Sequence, residues 1–183
     1  SLKYFEKAHQ LAVQHNLAHL QAVALDNQSP VHWMIGDLEN ARATAEKAIA
    51  ILEEIGGNDG LGVMAMALSN VGNVYQKEDD FDTALQYYQR ALAALKKKFG
   101  EQSSPYDISV RGNIGIVLLR SDKYEEALEH FLALLEDHDT YGHKHGKVLT
   151  LAHVAECYNQ MKEYPTAISY YSKALKLVRE LPP

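Results

Sequence analysis

One skeleton recurs four times along the chain and sets what it can fold into. A small residue stands at Ser29, Gly72, Gly115 and Ala155, and twelve positions after each comes an alanine: Ala41, Ala84, Ala127 and Ala167. Three positions before that alanine are Leu38, Phe81, Tyr124 and Tyr164; four after it are Ala45, Tyr88, Phe131 and Tyr171; seven after it are Ala48, Ala91, Leu134 and Ala174. The alanines are spaced by 43, 43 and 40 residues. Self-similarity at such a period marks a solenoid, in which each unit covers an apolar face that its neighbour cannot bury alone.

Apolar residues fall at helical spacing on both sides of a short polar turn. In the second unit the first helix reads Leu68, Val71, Gly72, Tyr75, and the second reads Phe81, Ala84, Leu85, Tyr88, Ala91, Leu92. A glycine inside a helix costs about 1 kcal/mol relative to alanine, so Gly72 needs a reason. The spacing predicts that Gly72 and Ala84 face each other where the two helices cross, with the tyrosines filling the space between neighbouring units. Helix starts are expected at Gly36-Asp37, Asp79-Asp80 and Asp122, the last with Glu125 as a capping-box partner, and Pro165 fits the first turn of its helix. Gly56 to Gly60, Gly100 to Pro105 and Thr140 to Gly146 have loop compositions. Pro30 falls inside the first helix of the first unit and predicts a kink or break between Asp26 and Pro30.

The spacing Gly72, Tyr75, Phe81, Ala84, Tyr88, Ala91 resembles the tetratricopeptide repeat. The resemblance covers nearly the whole chain and is strongest over 65–98, 108–137 and 148–180. The unit at 22–55 departs from it: Ser29 replaces Gly, His32 replaces Tyr, Ala45 replaces the aromatic, and Pro30 interrupts its first helix. Residues 1–16 look like the second helix of a truncated unit. The implied fold is an all-α, right-handed superhelical solenoid of antiparallel pairs, about nine helices in a single array over 1–183. The long repeats and "GEQSSPYDISVRGNIG" look like the kinesin light chain subtype. "GNDGLGVMAMALSNVGNVY" looks more like polarity scaffolds and bacterial peptide-sensing regulators, and both branches stay open.

Bulk properties exclude several functions. With net charge −6 over 183 residues, and Lys96-Lys97-Lys98 as its only basic run, the chain lacks the basic face of a nucleic-acid binder. No apolar run approaches the ~18 residues of a membrane span, and no signal-peptide pattern appears. A single cysteine, Cys157, allows no internal disulfide. With its Ser1-Leu2-Lys3 opening, the chain reads as a cytoplasmic piece of something longer.

Chemistry-bearing clusters are sparse. Asp137, His138, Asp139, His143 and His145 crowd into "EDHDTYGHKHGK", where a His-x-His pair beside carboxylates has the donors zinc uses, but a mobile polar loop would give them no fixed geometry. No metal site and no cofactor is expected. Cys157 has His153 one turn away but no electropositive setting, so it reads as a packed thiol and not a nucleophile. No phosphate loop, nucleophile elbow or paired carboxylates occur, and no catalytic residue is assigned. Trp33 and Met34 fit equally a binding anchor or filler for the space left by Ala45.

One polar signal stands out. Two positions before each small residue come Asn27, Asn70, Asn113 and His153. Asparagine is a poor helix former, so propensity gives no reason for it there. The resemblance implies that this position of the first helix faces a concave groove, where amides hold an extended peptide backbone. Asn73, Lys77, Arg120, Glu156 and Asn159 would line the same wall, with Met66, Ile116 and Leu119 as apolar patches. Lys77 and Arg120 imply an acidic ligand. The chaperone-type carboxylate clamp is not expected: Asn73 and Asn113 match its asparagines, but Ser69, Leu149 and His153 stand where it needs cations. The function expected is a non-catalytic protein-protein interaction scaffold binding a peptide. The alternative is a self-assembly module, a homodimer through the terminal helices.

Overall fold

The structure is a computed structural model that describes residues 2–100 and 104–181. Among the described residues it is all helix and loop, with no strand, and it divides into two compact units at residue 102. The first holds α1 (Leu2–Gln14), α2 (Ala18–Asp26), α3 (Ser29–Met34), α4 (Leu38–Ile55), α5 (Leu61–Lys77) and α6 (Phe81–Phe99). The second holds α7 (Pro105–Arg120), α8 (Tyr124–Tyr141), α9 (Lys144–Gln160) and α10 (Tyr164–Arg179). Within each unit successive helices pack on one another, and helices further apart in the chain also touch: α2 and α3 reach α5 in the first unit, and α7 reaches α9 in the second.

The turn inside each repeat is closed in one way. Gly36, Asp79, Asp122 and Lys162 take φ of 81°, 62°, 61° and 64°, recurring at the period of the alanines. The N–H after each donates to the carbonyl five residues back: Asp37 to His32 (2.9 Å), Asp80 to Tyr75 (2.9 Å), Lys123 to Leu118 (3.0 Å) and Glu163 to Tyr158 (2.8 Å). This left-handed closure satisfies carbonyls that a helix end otherwise leaves open. The next residue starts the second helix. Asp37 and Asp80 cap theirs by accepting from the N–H groups of Asn40 and Thr83, both at 3.2 Å, and Pro165 sits in the first turn of α10.

The third turn corrects an expectation. Asp122 takes the left-handed position itself and accepts from the Tyr124 hydroxyl at 2.6 Å, so Lys123 becomes the N-cap and no box with Glu125 forms. A capping box does form at α7, where Ser104 and Asp107 exchange hydrogen bonds.

The first helix of the first repeat is split in two, which brings the helices among the described residues to ten, close to the nine or so expected. α2 ends at Asp26 and α3 begins at Ser29, with Pro30 in its first turn. Proline has no N–H to give the carbonyl four residues back, here that of Asp26, and the ladder breaks where Pro30 predicts it.

Thr140 to Gly146 is not a loop. α8 runs to Tyr141 and α9 starts at Lys144, joined through left-handed Gly142. The buried His138 ring fills the space against Gly146, where any Cβ would collide with it, and its Nε2 lies 3.0 Å from the Thr150 hydroxyl. Gly56 to Gly60 does connect helices, with Gly56 and Gly57 at positive φ. Of the loop expected over Gly100 to Pro105, residues 101–103 lie outside the described residues, and Pro105 already belongs to α7.

The glycine reading also needs correction. What faces Gly72 is the Tyr88 ring: a Cβ on Gly72 would stand 2.7 Å from Tyr88 Cε1. Gly115 lies under Phe131 with the same 2.7 Å approach. The aromatic therefore fills its own helix pair rather than the space between pairs. Tyr88 is fully buried, and its hydroxyl donates at 2.8 Å to Asn73 Oδ1 or Gln76 Oε1. Tyr75 stacks on Tyr87 and Tyr158 on Tyr170, again within one pair.

Candidate functional site

The expected peptide-binding residues fall on first helices, and in the first unit the chain brings them together. Asn27 ends α2; Asn70, Asn73 and Lys77 follow one another along α5. Three side-chain contacts tie α2 and α3 to α5. Asn70 Nδ2 donates to Asp26 Oδ1 at 2.8 Å, Trp33 Nε1 donates to the Asn73 carbonyl at 3.3 Å, and the Lys77 ammonium lies 5.6 Å from the centre of the Trp33 ring. Trp33 nevertheless stays 39% exposed, and Met34 and Ile35 beside it are more so.

Each amide is oriented by its own fold. Asn27 donates to the Val23 carbonyl one turn back at 2.9 Å, and Asn73 accepts from Tyr88. Asn70 is held by a carboxylate that is itself buried. Taking Asp26 out of water pushes its carboxyl up to about 6, a rise that the hydrogen bond from Asn70 opposes. Asn70 thus has a structural account that helix propensity alone does not supply. Sequence reasoning misses Asp26 as a partner because it stands 44 residues away along the chain.

In the second unit Asn113 lies partly buried on α7, and Arg120 is exposed in the last turn of that helix. His153 and Asn159 lie on α9. The His153 ring stacks on Phe131, centroids 5.0 Å apart and planes 16° from parallel. Burial pushes its imidazole below the usual range, against the pull of Glu156. Asn159 is exposed. Glu156 accepts from the Tyr171 hydroxyl at 2.7 Å, the largest cause of its lowered carboxyl.

The remaining chemical candidates are accounted for by packing. Cys157 is buried, and desolvation pushes its thiol up to about 11, the reverse of what a nucleophile needs. Among the described residues no three His, Cys, Asp or Glu side chains group as metal ligands, and His138 is committed to Thr150 and Gly146. A cleft of about 560 Å³ in the second unit is lined by Ile108, His138, His143, Lys144 and Leu181 among others, and includes none of the expected site residues. Among the described residues no helix is long and apolar enough to cross a membrane.

A family model for the tetratricopeptide repeat matches residues 63–137 and 106–180, well over half of the chain. No match was found among curated proteins. Solved structures with a similar fold include aspartyl phosphate phosphatase F from Bacillus subtilis, 15% identical with a TM-score of 0.84 over 97% of this chain. This chain spans only 45% of that protein. The apo form of RapI is 14% identical with a TM-score of 0.78, covering 98% of this chain and 70% of its own. MamA from Desulfovibrio magneticus RS-1 is 15% identical with a TM-score of 0.66, covering 100% of this chain and 97% of its own. At such identities the likeness concerns the fold.

Proposed function

The chain belongs to the tetratricopeptide repeat family, and from that premise we propose that it is a non-catalytic interaction scaffold that holds an extended segment of a partner protein along its first helices. The observation that carries this reading is the wall formed by α2, α3 and α5. There an exposed tryptophan is pinned by its own N–H, a lysine stands over its ring, and Asn27, Asn70 and Asn73 sit with their amides already oriented. Pre-oriented amides suit a peptide backbone, which offers an N–H and a carbonyl at every residue whatever its sequence. Trp33 adds a large, rigid contact surface, the kind that dominates binding energy in protein interfaces. In the second unit Asn113, Arg120, His153 and Asn159 would serve in the same way on α7 and α9.

Lys77 and Arg120 assign the ligand an acidic character, so added salt should weaken its capture. The test starts with affinity capture from the source cell, using wild type beside the Asn70→Ala/Asn113→Ala double variant, with circular dichroism as a check on folding. A captured peptide is then titrated calorimetrically into wild type, Asn70→Ala, Asn113→Ala and Trp33→Ala. Loss of one amide contact is worth roughly 1–3 kcal/mol, so Asn70→Ala should weaken binding about tenfold. Equal affinities for all four proteins would remove this wall from the mechanism.

A further inference from the structure

His138 breaks the pattern of its own repeat position. The residue eleven after the repeat alanine is apolar on the other second helices: Leu52, Leu95 and Val178. Between α4 and α5, Leu52 packs on Gly60, whose Cβ would stand 2.8 Å from Leu52 Cδ2; between α8 and α9, His138 packs on Gly146 in the same manner. Leucine suffices for that packing, and histidine adds two nitrogens that it does not need. Nε2 lies 3.0 Å from the Thr150 hydroxyl. Nδ1 is buried and has no hydrogen-bond partner among the described residues. It is turned to the first turn of α9, 2.9 Å from where a Gly146 Cβ would stand, in a residue only 6% exposed. A polar atom so placed costs free energy until something pairs with it.

His138 borders the cleft of about 560 Å³ that also takes in the start of α9. A volume of that order suits a small molecule. α9 begins with no side-chain cap and no acid in its first turn. The N–H of Lys144 donates to the Gly142 carbonyl and that of Lys147 to the His143 carbonyl, whereas those of His145 and Gly146 have no backbone acceptor among the described residues. Such N–H groups carry the positive end of the helix dipole. Among the described residues Lys144 is the one ammonium lining the cleft, and no carboxylate lines it. The acids on either side of His138 are already paired, Asp137 with Arg111 at 2.6 Å and Asp139 with Lys147. Ile108 and Leu181 supply the apolar part of the wall.

From this arrangement we infer that the cleft binds a small carboxylate with an apolar body. The carboxylate accepts from His138 Nδ1 and from the N–H groups at the start of α9, beside Lys144, and the body lies on Ile108 and Leu181. This requires the Nδ1–H tautomer, with Nε2 accepting from the Thr150 hydroxyl. Burial pushes the imidazole below its usual range, so the ring donates as a neutral group. One ammonium and about half a charge from the helix dipole match a monoanion better than a phosphate dianion. The inference is independent of the peptide wall, none of whose residues border this cleft.

Hexanoate, hexanol and hexyl phosphate serve as probes, each titrated into isotope-labelled protein and followed by nuclear magnetic resonance. Hexanoate should shift the His145 and Gly146 amides and fix the His138 ring in its Nδ1–H form, which the ring-nitrogen shifts identify. It should bind about tenfold more tightly than either other probe, the order of one charge-assisted hydrogen bond. Lys144→Gln, at an exposed position, should weaken hexanoate about tenfold. Lys162→Gln, at an exposed position outside the cleft, should leave its affinity unchanged. His138→Leu restores the residue of the two earlier repeats and should lose hexanoate while circular dichroism stays the same. If that variant unfolds, the two lysine variants and the wild-type ring shifts decide. Absence of a saturable shift in the α9 amides overturns the inference, as does binding that survives His138→Leu or Lys144→Gln. An equal loss in Lys162→Gln overturns it too, since the effect would then be the protein's overall charge. Hexyl phosphate binding as tightly as hexanoate would make this a site for phosphate groups, and hexanol doing so would leave an apolar cleft with no anion site; either result overturns the assignment.

Discussion

The helix pair α5–α6 and the broken pair before it solve one packing problem in opposite ways. In the former Gly72 leaves room for a fully buried tyrosine, Tyr88. In the latter Ala45 takes the aromatic's position, and the small residue has grown to Ser29, whose hydroxyl donates to the Ala41 carbonyl at 2.8 Å. α7–α8 follows the first solution with Gly115 and Phe131. α9–α10 shows what happens when the two are mixed: Ala155 keeps its Cβ, and Tyr171 is turned out to 42% exposure. The small position and the aromatic position therefore form one unit of design. A glycine here creates a socket, and whether the socket is filled decides how dry the pair is.

The largest break comes from emptying a filled socket. Tyr88→Ala or Phe131→Ala should cost about 3–5 kcal/mol, the range for truncating a buried aromatic. Urea denaturation reads this directly. The first pair predicts the remedy: Gly72→Ser added to Tyr88→Ala should recover part of the loss, because serine can fill the vacated space as Ser29 does. A double variant at least as unstable as Tyr88→Ala alone would show that the two positions are not coupled.

A second difference between the pairs is polar. At the position three before the small residue the repeats carry Asp26, Ser69, Gly112 and Ala152. Only the first places a carboxyl in the core, where its pKa rises from 3.8 to about 6. The folded protein thus holds this proton more tightly than the unfolded chain. The contribution to stability is fully present below about pH 3.8 and is lost as pH rises through about 6. A rise of that size is worth roughly 2–3 kcal/mol. Asp26→Asn keeps an oxygen for Asn70 and removes the ionisation, so at pH 7.5 it should stabilise by about 2 kcal/mol. Its advantage over wild type in urea denaturation should shrink toward pH 4.

How much of this is legible in the sequence follows from which interactions are local. The 43-, 43- and 40-residue spacing, the caps at Asp37 and Asp80, the first-turn Pro165 and the break at Pro30 are set by neighbours within a turn or two. Periodicity identifies the buried stripe but not the side chain facing it, so it pairs Gly72 with Ala84 and not with Tyr88. Composition makes a loop of Thr140 to Gly146 because glycine and histidine are weak helix formers; burial of His138 against Gly146 outweighs that preference. The Asn70 to Asp26 bond joins different repeats, and nothing near Asn70 in sequence announces it.

Two glycines on α7 sharpen the socket argument at smaller cost. A Cβ on Gly115 would lie 2.7 Å from the Phe131 ring, whereas one on Gly112 would meet only Leu134 Cδ1 at 3.9 Å. Gly115→Ala should therefore destabilise by about 1–3 kcal/mol through overpacking. Gly112→Ala should stabilise by up to about 1 kcal/mol from helix propensity alone. Opposite signs three residues apart on one helix would separate packing from propensity. If both substitutions stabilise, Phe131 is free to move and the socket is not rigid.

The smallest effect concerns Ser69, which stands where the first repeat has Asp26. Its Oγ is buried and has no hydrogen-bond partner among the described residues, although Asn70 beside it is bonded. An unsatisfied buried hydroxyl costs free energy that alanine would not, and alanine is also the better helix former. Ser69→Ala should raise the urea midpoint by the equivalent of about 0.5–1.5 kcal/mol with an unchanged slope. A residue kept at such a cost on the α5 wall would have its use in the bound state. Capture of the partner peptide should then weaken in Ser69→Ala even as the protein becomes more stable. A gain in stability with no loss of binding would make Ser69 a residue the fold tolerates rather than one the wall employs, and the wall would end at Asn70.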